Sequence, residues 1–524
     1  MMRRTMRLST RRRMRAIAAI ASVFVLGGTV ASEVAHAQGR GRIETWMPPW
    51  HWSRGALRVL AGLGMIEAGA SVAAWPAPRS LARALVDSAA ARTTTDRPAR
   101  EAAAATSIAA LFNILEGESS ADAGVEVRMR TGLGYDDHTG ALRGGTTVRA
   151  DGGAWVYPGP VPLRRPRGTT IATRVDLVGP SAHVGAALDT RVTGGDAVLH
   201  EAYVIAAAGP LAAWLGRRQF GFGPGTSGSL VLSSDVPIDG FGVTTRDGFR
   251  LPGPLGRLGT LRATGSLARL ERSGSVERPW LGAMRLGVAP HPSIAIGLNR
   301  ALLLGGDGNV EPTSARNVLL AIAGLSGQLG KDSGFENQVA SIDVWLRGRA
   351  LGLPWAAYAE WAADDVGFSF ARVTALLAGL ELAAVPLAPR LSLGIEHVRF
   401  PRSCCGHPPW YRHGDLGDGW TVGGRPLGHR LGGHGTQWAA HARFVAPRLW
   451  LEANAFTRDR GGENLFSPDR QGVSRGGRIA AELATTRATR LRTRTSFERG
   501  PRWSAWTFDL RADLAVRIGN RTSH

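Results

Sequence analysis

The sequence predicts an all-β transmembrane barrel of about 18 antiparallel strands with a small N-terminal α-helical periplasmic domain. Three observations predict it. First, apolar and polar residues alternate with period two from about Val125 to Ile518. Second, the last stretch sustains that alternation far beyond a soluble strand. Trp506, Phe508, Leu510, Ala512, Leu514, Val516 and Ile518 share one face, and Thr507, Asp509, Arg511, Asp513 and Arg517 share the other. Soluble strands run to about five or six residues, whereas a tilted strand needs about 9–11 to cross the hydrocarbon of a bilayer. Third, short connections such as Pro290–Pro292, Pro386–Pro389 and Ala446–Pro447 alternate with long polar stretches at 221–240, 304–336, 401–435 and 459–474. That is the pattern of periplasmic turns and extracellular loops. Closing the sheet leaves no edge whose hydrogen-bonding groups would face lipid unpaired.

The chain opens with a leader. Arg3, Arg4, Arg7, Arg11, Arg12, Arg13 and Arg15 precede a short apolar run, Ala16–Leu26, and Ala35–His36–Ala37 fits a small-x-small cleavage site. Residues 1–37 therefore read as a secretory signal peptide, too short in the apolar part for a membrane span. The formal charge is +21 from 63 basic and 42 acidic residues; without the leader's seven Arg and Glu33 it is +15. Lys331 is the only lysine. An excess of guanidinium forks favours anionic partners. The two cysteines, Cys404 and Cys405, are adjacent, so disulfides do not staple the fold. Two neighbouring thiols cannot easily chelate one tetrahedral ion, and no metal is expected.

Residues 38–120 read as a small helical domain. Trp52, Leu57, Leu60 and Leu63 recur at near-helical spacing, and Ile108, Leu111, Phe112 and Leu115 form an apolar stripe. Ser80 can cap a helix carrying Leu81, Leu85 and Val86, after the break at Trp75–Pro78. Residues 121–520 read as the barrel. Nineteen candidate strands are visible, and a closed bacterial barrel needs an even number, so one is misread. The weakest are 145–156, interrupted by Gly152 and Gly153, and the short 241–247. On 337–347 the apolar face is Ile342, Val344 and Leu346, with Trp345 the exception on the polar face.

Two stretches are specific. In the first, Trp214 is followed by Gly216–Arg217, then Gly221, Gly223, Pro224 and Gly225, then Gly228–Ser229–Leu230 and Leu232–Ser233. Glycine permits φ > 0 and close backbone approach, so this is a loop of fixed shape between strands. It lacks the Gly-Lys-Ser/Thr ending of a phosphate-binding loop. The second runs from Trp410 to Thr436 and holds Tyr411, His413, Gly419, Trp420, Thr421, Gly424, Leu427, Gly428, His429 and Gly432. These two stretches resemble the Wzi family of capsule assembly proteins, and Leu60–Ile66 with Trp75–Pro76 resembles the family's N-terminal region. The resemblance spans roughly 48–518 and implies an 18-stranded outer-membrane barrel that holds capsular polysaccharide, with residues 410–436 at its extracellular end and residues 38–120 as a helical periplasmic plug.

The residues of that second stretch suit sugars on their own account. Trp410, Tyr411 and Trp420 could stack on sugar C–H faces; Arg412 and Arg425 could grip carboxylates; His413, Asp415, His429 and His434 add hydrogen-bonding groups. The competing reading is that the loop folds inward and these groups satisfy one another. Arg490, Arg492 and Arg494 form a basic ladder facing the lumen, which would suit a porin-like channel for anionic solutes. Glu360 and Glu396 also face the lumen and could in principle act as an acid–base pair on a glycoside, but lumenal charges are usual in barrels and no reaction is expected. No strand-to-helix nucleophile turn occurs near Gly225–Gly228. The expected partners are acidic polysaccharide, outer-membrane lipid and the barrel assembly machinery. No nucleic acid and no cofactor are expected, and the chain is expected to be a monomer in the bacterial outer membrane.

Overall fold

The computed structural model describes residues 46–47, 51–67, 74–75, 77–94, 99–116, 126–139, 167–178, 184–193, 196–208, 210–233, 237–246, 248–270, 278–307, 313–322, 336–364, 373–404, 409–412, 419–422, 425–467 and 470–519. Eighteen strands form one closed ring. They are β1 (Glu126–Thr139), β2 (Arg167–Val178), β3 (Val184–Thr193), β4 (Asp196–Ala208), β5 (Leu211–Arg218) and β6 (Ile238–Thr245). Next come β7 (Thr260–Arg269), β8 (Trp280–His291), β9 (Ile294–Leu304), β10 (Glu336–Ala350), β11 (Leu353–Asp364) and β12 (Thr374–Leu382). The ring finishes with β13 (Leu391–Phe400), β14 (Gly435–Ala446), β15 (Leu449–Arg460), β16 (Gly472–Ala484), β17 (Thr489–Arg499) and β18 (Ser504–Gly519). Each strand pairs antiparallel with its chain neighbours, and β18 returns to pair with β1.

The ambiguity over strand number resolves at β6. It pairs with β5 on one side and β7 on the other, so 241–247 belongs to the wall. The other weak candidate, 145–156, lies outside the described residues, as does the leader. The turns at 292–293, 351–352, 383–390, 447–448 and 485–488 share one end of the barrel. The connections at 219–237, 305–335, 401–434 and 461–471 share the other. One of these differs from the expectation of a plain polar loop: it contains a helix, α4 (Ala315–Ile322), which packs Val318 and Ala321 on Leu302 and Leu304.

The wall is inverted relative to a soluble protein. Large apolar side chains point outward and are exposed: Leu215, Leu298, Ile342, Leu346, Leu380, Ile395, Ile479, Leu510 and Leu514 among them. Charged residues point inward and are buried: Asp343, Glu360, Glu381, Glu396, Arg443, Arg458, Arg460, Glu498, Arg511 and Asp513. An apolar band outside and a polar interior are what lipid outside requires. Trp345 breaks the alternation because it is an interior residue. It stacks on Tyr358 with ring centroids 5.4 Å apart, and Arg58 lies over its ring at 4.5 Å.

Arg58 comes from the helical region, which consists of α1 (Trp52–Gly62), α2 (Arg79–Ala91) and α3 (Ala99–Glu116). His51 caps α1 through its side chain, and Ser80 falls in the first turn of α2 rather than before it. Ile108, Leu111, Phe112 and Leu115 are buried, as their spacing predicts. The first helix lies against the inner wall near the short turns. A Cβ at Gly55 would meet the Trp450 ring at 2.4 Å, and one at Gly62 would meet Ala383 at 2.8 Å. Only glycine lets the helix sit that close. Arg58 reaches across to Glu381 on β12, and Glu101 on α3 accepts from Arg349 on β10 at 2.6 Å. Among the described residues no helix is long and apolar enough to cross a membrane.

Candidate functional site

The glycine-rich connection between β5 and β6 folds into the lumen. Gly223 has φ 91°, and a Cβ at Gly225 would meet the Gly228 carbonyl oxygen at 1.9 Å, so both positions need glycine. The tight bend aims consecutive backbone N–H groups at the wall. Glu396 accepts from Thr226 N at 2.7 Å and Ser227 N at 3.1 Å, from Ser227 Oγ, and from the Tyr358 hydroxyl at 2.9 Å. Glu360 accepts from Leu230 N at 2.9 Å, Ser229 Oγ at 2.9 Å and Ser341 Oγ at 2.8 Å. Two carboxylates thus pin the loop, and charge-assisted bonds of this kind are about twice as strong as neutral ones. From the helical side, Arg58 donates to the Pro224 carbonyl, and Arg54 donates to the carbonyls of Gly223 at 3.4 Å and Gly225 at 3.3 Å. Burial beside Arg58 pulls the Arg54 guanidinium down to about 10. The two-residue ladder Ala74–Trp75 with Phe222–Gly221 adds a backbone tie.

The connection between β13 and β14 closes over the same loop. Trp410, Tyr411 and Trp420 are fully buried. The Tyr411 hydroxyl donates to the Leu230 carbonyl and accepts from His429 N at 3.0 Å. Trp420 Nε1 donates to the Val231 carbonyl at 2.9 Å. Ser233 N donates to the Leu427 carbonyl at 2.6 Å. Tyr411 holds a left-handed backbone at φ 68°, a strain of about 1–3 kcal/mol that persists only because its surroundings fix it. Asn464 locks the return by donating through Nδ2 to the carbonyls of Leu431 at 2.9 Å, Gly433 at 3.2 Å and His434 at 3.0 Å. Helix, glycine loop and outer loop form three interlocked layers inside the ring.

Sequence alone could not bring a serine and a histidine together, but the fold does. Ser227 Oγ lies 2.8 Å from His429 Nε2. Leu431 N donates to His429 Nδ1 at 3.1 Å, so the neutral ring carries its proton on Nε2 and donates to Ser227. Ser227 in turn donates to Glu396. The imidazole therefore offers this hydroxyl no basic nitrogen, and the order is that of a structural chain rather than an activated nucleophile. Burial, with Arg458, Arg430 and Arg460 nearby, pushes the His429 pKa well below its usual value. A histidine depressed on folding contributes stability that is fully present above its unfolded pKa of about 6.5. That contribution is lost as pH falls below this value. We expect the closed mouth to loosen in thermal unfolding as pH drops from 7 to 5, with His429→Asn flattening that dependence.

The residues expected to touch sugar therefore divide. Trp410, Tyr411, Trp420 and His429 have no exposed face, because the loop folds inward; Tyr411, Trp420 and His429 bond to the glycine loop, and Trp410 packs on Phe400 and Tyr411. In this arrangement the rings present no face on which a sugar could stack. Arg412 is half-buried, donates to the Asn464 carbonyl at 2.7 Å and has its pKa lowered by burial. His434 is partly exposed beside Glu463, at 4.0 Å. Arg425 holds a two-residue ladder with Val422 through its backbone, and its side chain lies outside the described residues, as do His413 and Asp415. Cys404 is exposed, and Cys405 is likewise outside. The basic ladder faces the lumen, where Arg490 and Arg492 share Asp513 at 2.7 Å and 2.8 Å. Among the described residues no group of acidic, histidine or cysteine side chains could hold a metal. The pinning role of Glu360 and Glu396 was not legible, since their positions gave lumen orientation but no partner.

Glu396→Gln tests the pin. The amide would turn a donor toward donors, leaving at least one buried N–H unpaired at about 1–3 kcal/mol. We expect frequent channel openings in planar bilayers where the parent stays quiet; an equally quiet variant would show that Glu396 does not hold the loop.

The three-layer stopper sets this barrel apart from an open ring, and comparison with known proteins places it. The family described as capsule assembly protein Wzi matches residues 96–513. The chain belongs to the Wzi capsule assembly family. Among solved structures, Wzi of Escherichia coli superposes with TM-score 0.66 at 17% identity, covering 91% of this chain and 99% of that one. It is described as an outer-membrane, carbohydrate-binding β-barrel involved in group 1 capsule assembly. OccK3 of Pseudomonas aeruginosa matches at 11% identity and TM-score 0.46, covering 76% and 97%. OccAB4 of Acinetobacter baumannii matches at 7% and 0.46, covering 76% and 100%. No curated protein sequence matches the chain. As a Wzi-family barrel, this chain lies in the outer membrane.

Proposed function

We propose that this Wzi-family barrel binds acidic capsular or exopolysaccharide at the cell surface, assists capsule assembly and performs no chemistry. The observation that carries the reading is the stopper: a lumen filled by α1, the glycine loop and the 410–434 loop suits a surface anchor rather than a channel. A basic mature chain favours acidic sugars. The Wzi barrel of Escherichia coli, which shares this fold, binds carbohydrate. The contact groups are Arg412, His434 and the exposed Arg402 at the mouth, with His413, Asp415 and Arg425 of the same sequence stretch. Trp410, Tyr411, Trp420 and His429 serve as their frame, and residues 38–120 act as the periplasmic plug.

Many weak contacts add along a repeating chain, and exposed charges are screened over about 8 Å at physiological ionic strength. A glycan array with the purified mature protein should therefore show acidic polysaccharide bound, and bound more weakly as salt rises. Arg412→Ala should cost about 1.5–3 kcal/mol against an ordered carboxylate, and the exposed Arg402→Ala about 0–1 kcal/mol. Binding indifferent to salt and to both substitutions would reject the reading.

A further inference from the structure

On β16 and β17, two arginines stand directly opposite each other. Arg475 and Arg499 are cross-strand partners. Both are exposed, and both lie on the outer face. Val473, Ile479 and Leu483 share the face of Arg475, and Leu491 and Phe497 share that of Arg499; all five are exposed. Directly opposed residues have Cβ atoms about 4.5–5.5 Å apart, and like charges there are destabilising. Among the described residues neither guanidinium makes an ion pair. The contrast with the inner face is sharp: Arg458 and Arg460 share Glu498 at 2.9 Å each. Exposed Asp459, paired with Val473 on the neighbouring strand, makes no ion pair either. A third exposed arginine, Arg502, sits in the turn just beyond.

Position along each strand sets the height: Arg499 is the last residue of β17, and Arg475 is the fourth of β16, as Trp438 is of β14, all toward the long-loop end. Trp438 points outward, is 52% exposed and packs on His397 with centroids 4.3 Å apart. An outward tryptophan near the long-loop end marks the level where hydrocarbon gives way to headgroups. The arginine pair stands at that same long-loop end of its strands.

We propose that Arg475 and Arg499, with Arg502, form a binding site for a phosphorylated lipid headgroup of the outer leaflet. Two guanidinium forks converging on one phosphate match its oxygens bidentately and cancel the repulsion between them. The outer face decides between lipid and polysaccharide, because a sugar chain at the mouth meets the inner and upper surfaces instead. This site is independent of the polysaccharide reading and needs only the outer-membrane location.

Native mass spectrometry of the full chain in non-ionic detergent tests it, with bisphosphorylated lipid A as probe. The parent should retain lipid A, and Arg475→Gln/Arg499→Gln should lose it by about tenfold or more, the scale of two charge-assisted bonds. Lipid A stripped of both phosphates should not be retained. Thermal unfolding separates binding from misfolding. Without lipid the double variant should melt at or above the parent, because repulsion is gone; with lipid A only the parent should gain. Equal retention by the variant, or retention of the dephosphorylated lipid, overturns the proposal. Displacement of lipid A from the parent by alginate assigns the pair to polysaccharide and overturns it as well.

Discussion

Glu381→Gln is expected to destabilise the protein by about 3–5 kcal/mol, the range for breaking a buried ion pair from one side. Glu381 stands on β12 and is buried. It faces Arg58 from the helical plug, Arg443 at 3.4 Å and His441 at 3.2 Å, and accepts from Thr226 Oγ at 3.3 Å. One carboxylate therefore serves a guanidinium of the helical layer, Arg58, and one of the neighbouring wall, Arg443. Glutamine keeps a carbonyl oxygen but no charge, and leaves Arg58 and Arg443 facing each other. Arg443 then keeps the Thr226 hydroxyl at 3.1 Å and, as a carboxylate, the partly exposed Glu452 at 3.8 Å. Arg58→Met should cost less, since Glu381 then keeps Arg443 and His441 and the methionine still packs on Trp345 and Tyr358. Thermal unfolding in detergent checks both. If Glu381→Gln melts with the parent, or Arg58→Met proves the worse, the carboxylate is not the hub.

Trp420→Ala is expected to lose about 3–5 kcal/mol through the cavity it leaves, and about 1 kcal/mol more through the Val231 carbonyl left without its donor. The effect has a second readout. The ring ties the 410–434 loop to the glycine loop, so its loss should turn a quiet barrel into a conducting one in planar bilayers. Arg412→Ala, at the mouth and half-buried, should leave conductance unchanged and alter only polysaccharide retention. A quiet Trp420→Ala barrel of parental stability would return the ring to the sugar-contacting role.

The wall was legible because lipid imposes one rule on every strand. Ile342, Leu346, Leu393, Ile395, Leu510 and Leu514 face outward as their alternation predicts, and even the exception at Trp345 marked a real inward ring. The strand count stayed open because β6 is only Ile238–Thr245, and its identity depends on pairing with β5 and β7, which lie outside its own pattern. The site was half legible. Glycine spacing at 221–228 and the aromatics at 410–420 located the two loops that meet. Their composition could not say whether they face the exterior or each other. That depends on Glu360 and Glu396, which are lumenal charges like many others until loop amides arrive from more than a hundred residues away. The Ser227–His429 contact, 202 residues apart, was beyond any motif.

The separations within the stopper also dictate when it can form. Arg58 meets Glu381 across 323 residues, and the glycine loop meets Tyr411 across 181. Contacts this remote cannot guide early folding, because the loop-closure entropy comes before any reward. The helices are made first yet find their seat only when β10 to β14 stand in place. We therefore expect the helices to seat after the ring has formed, leaving the packing face of α1, with Leu57 and Leu60, uncovered until then. Variants of Arg58 should accordingly accumulate as periplasmic degradation fragments at the N-terminus while the strands themselves still insert.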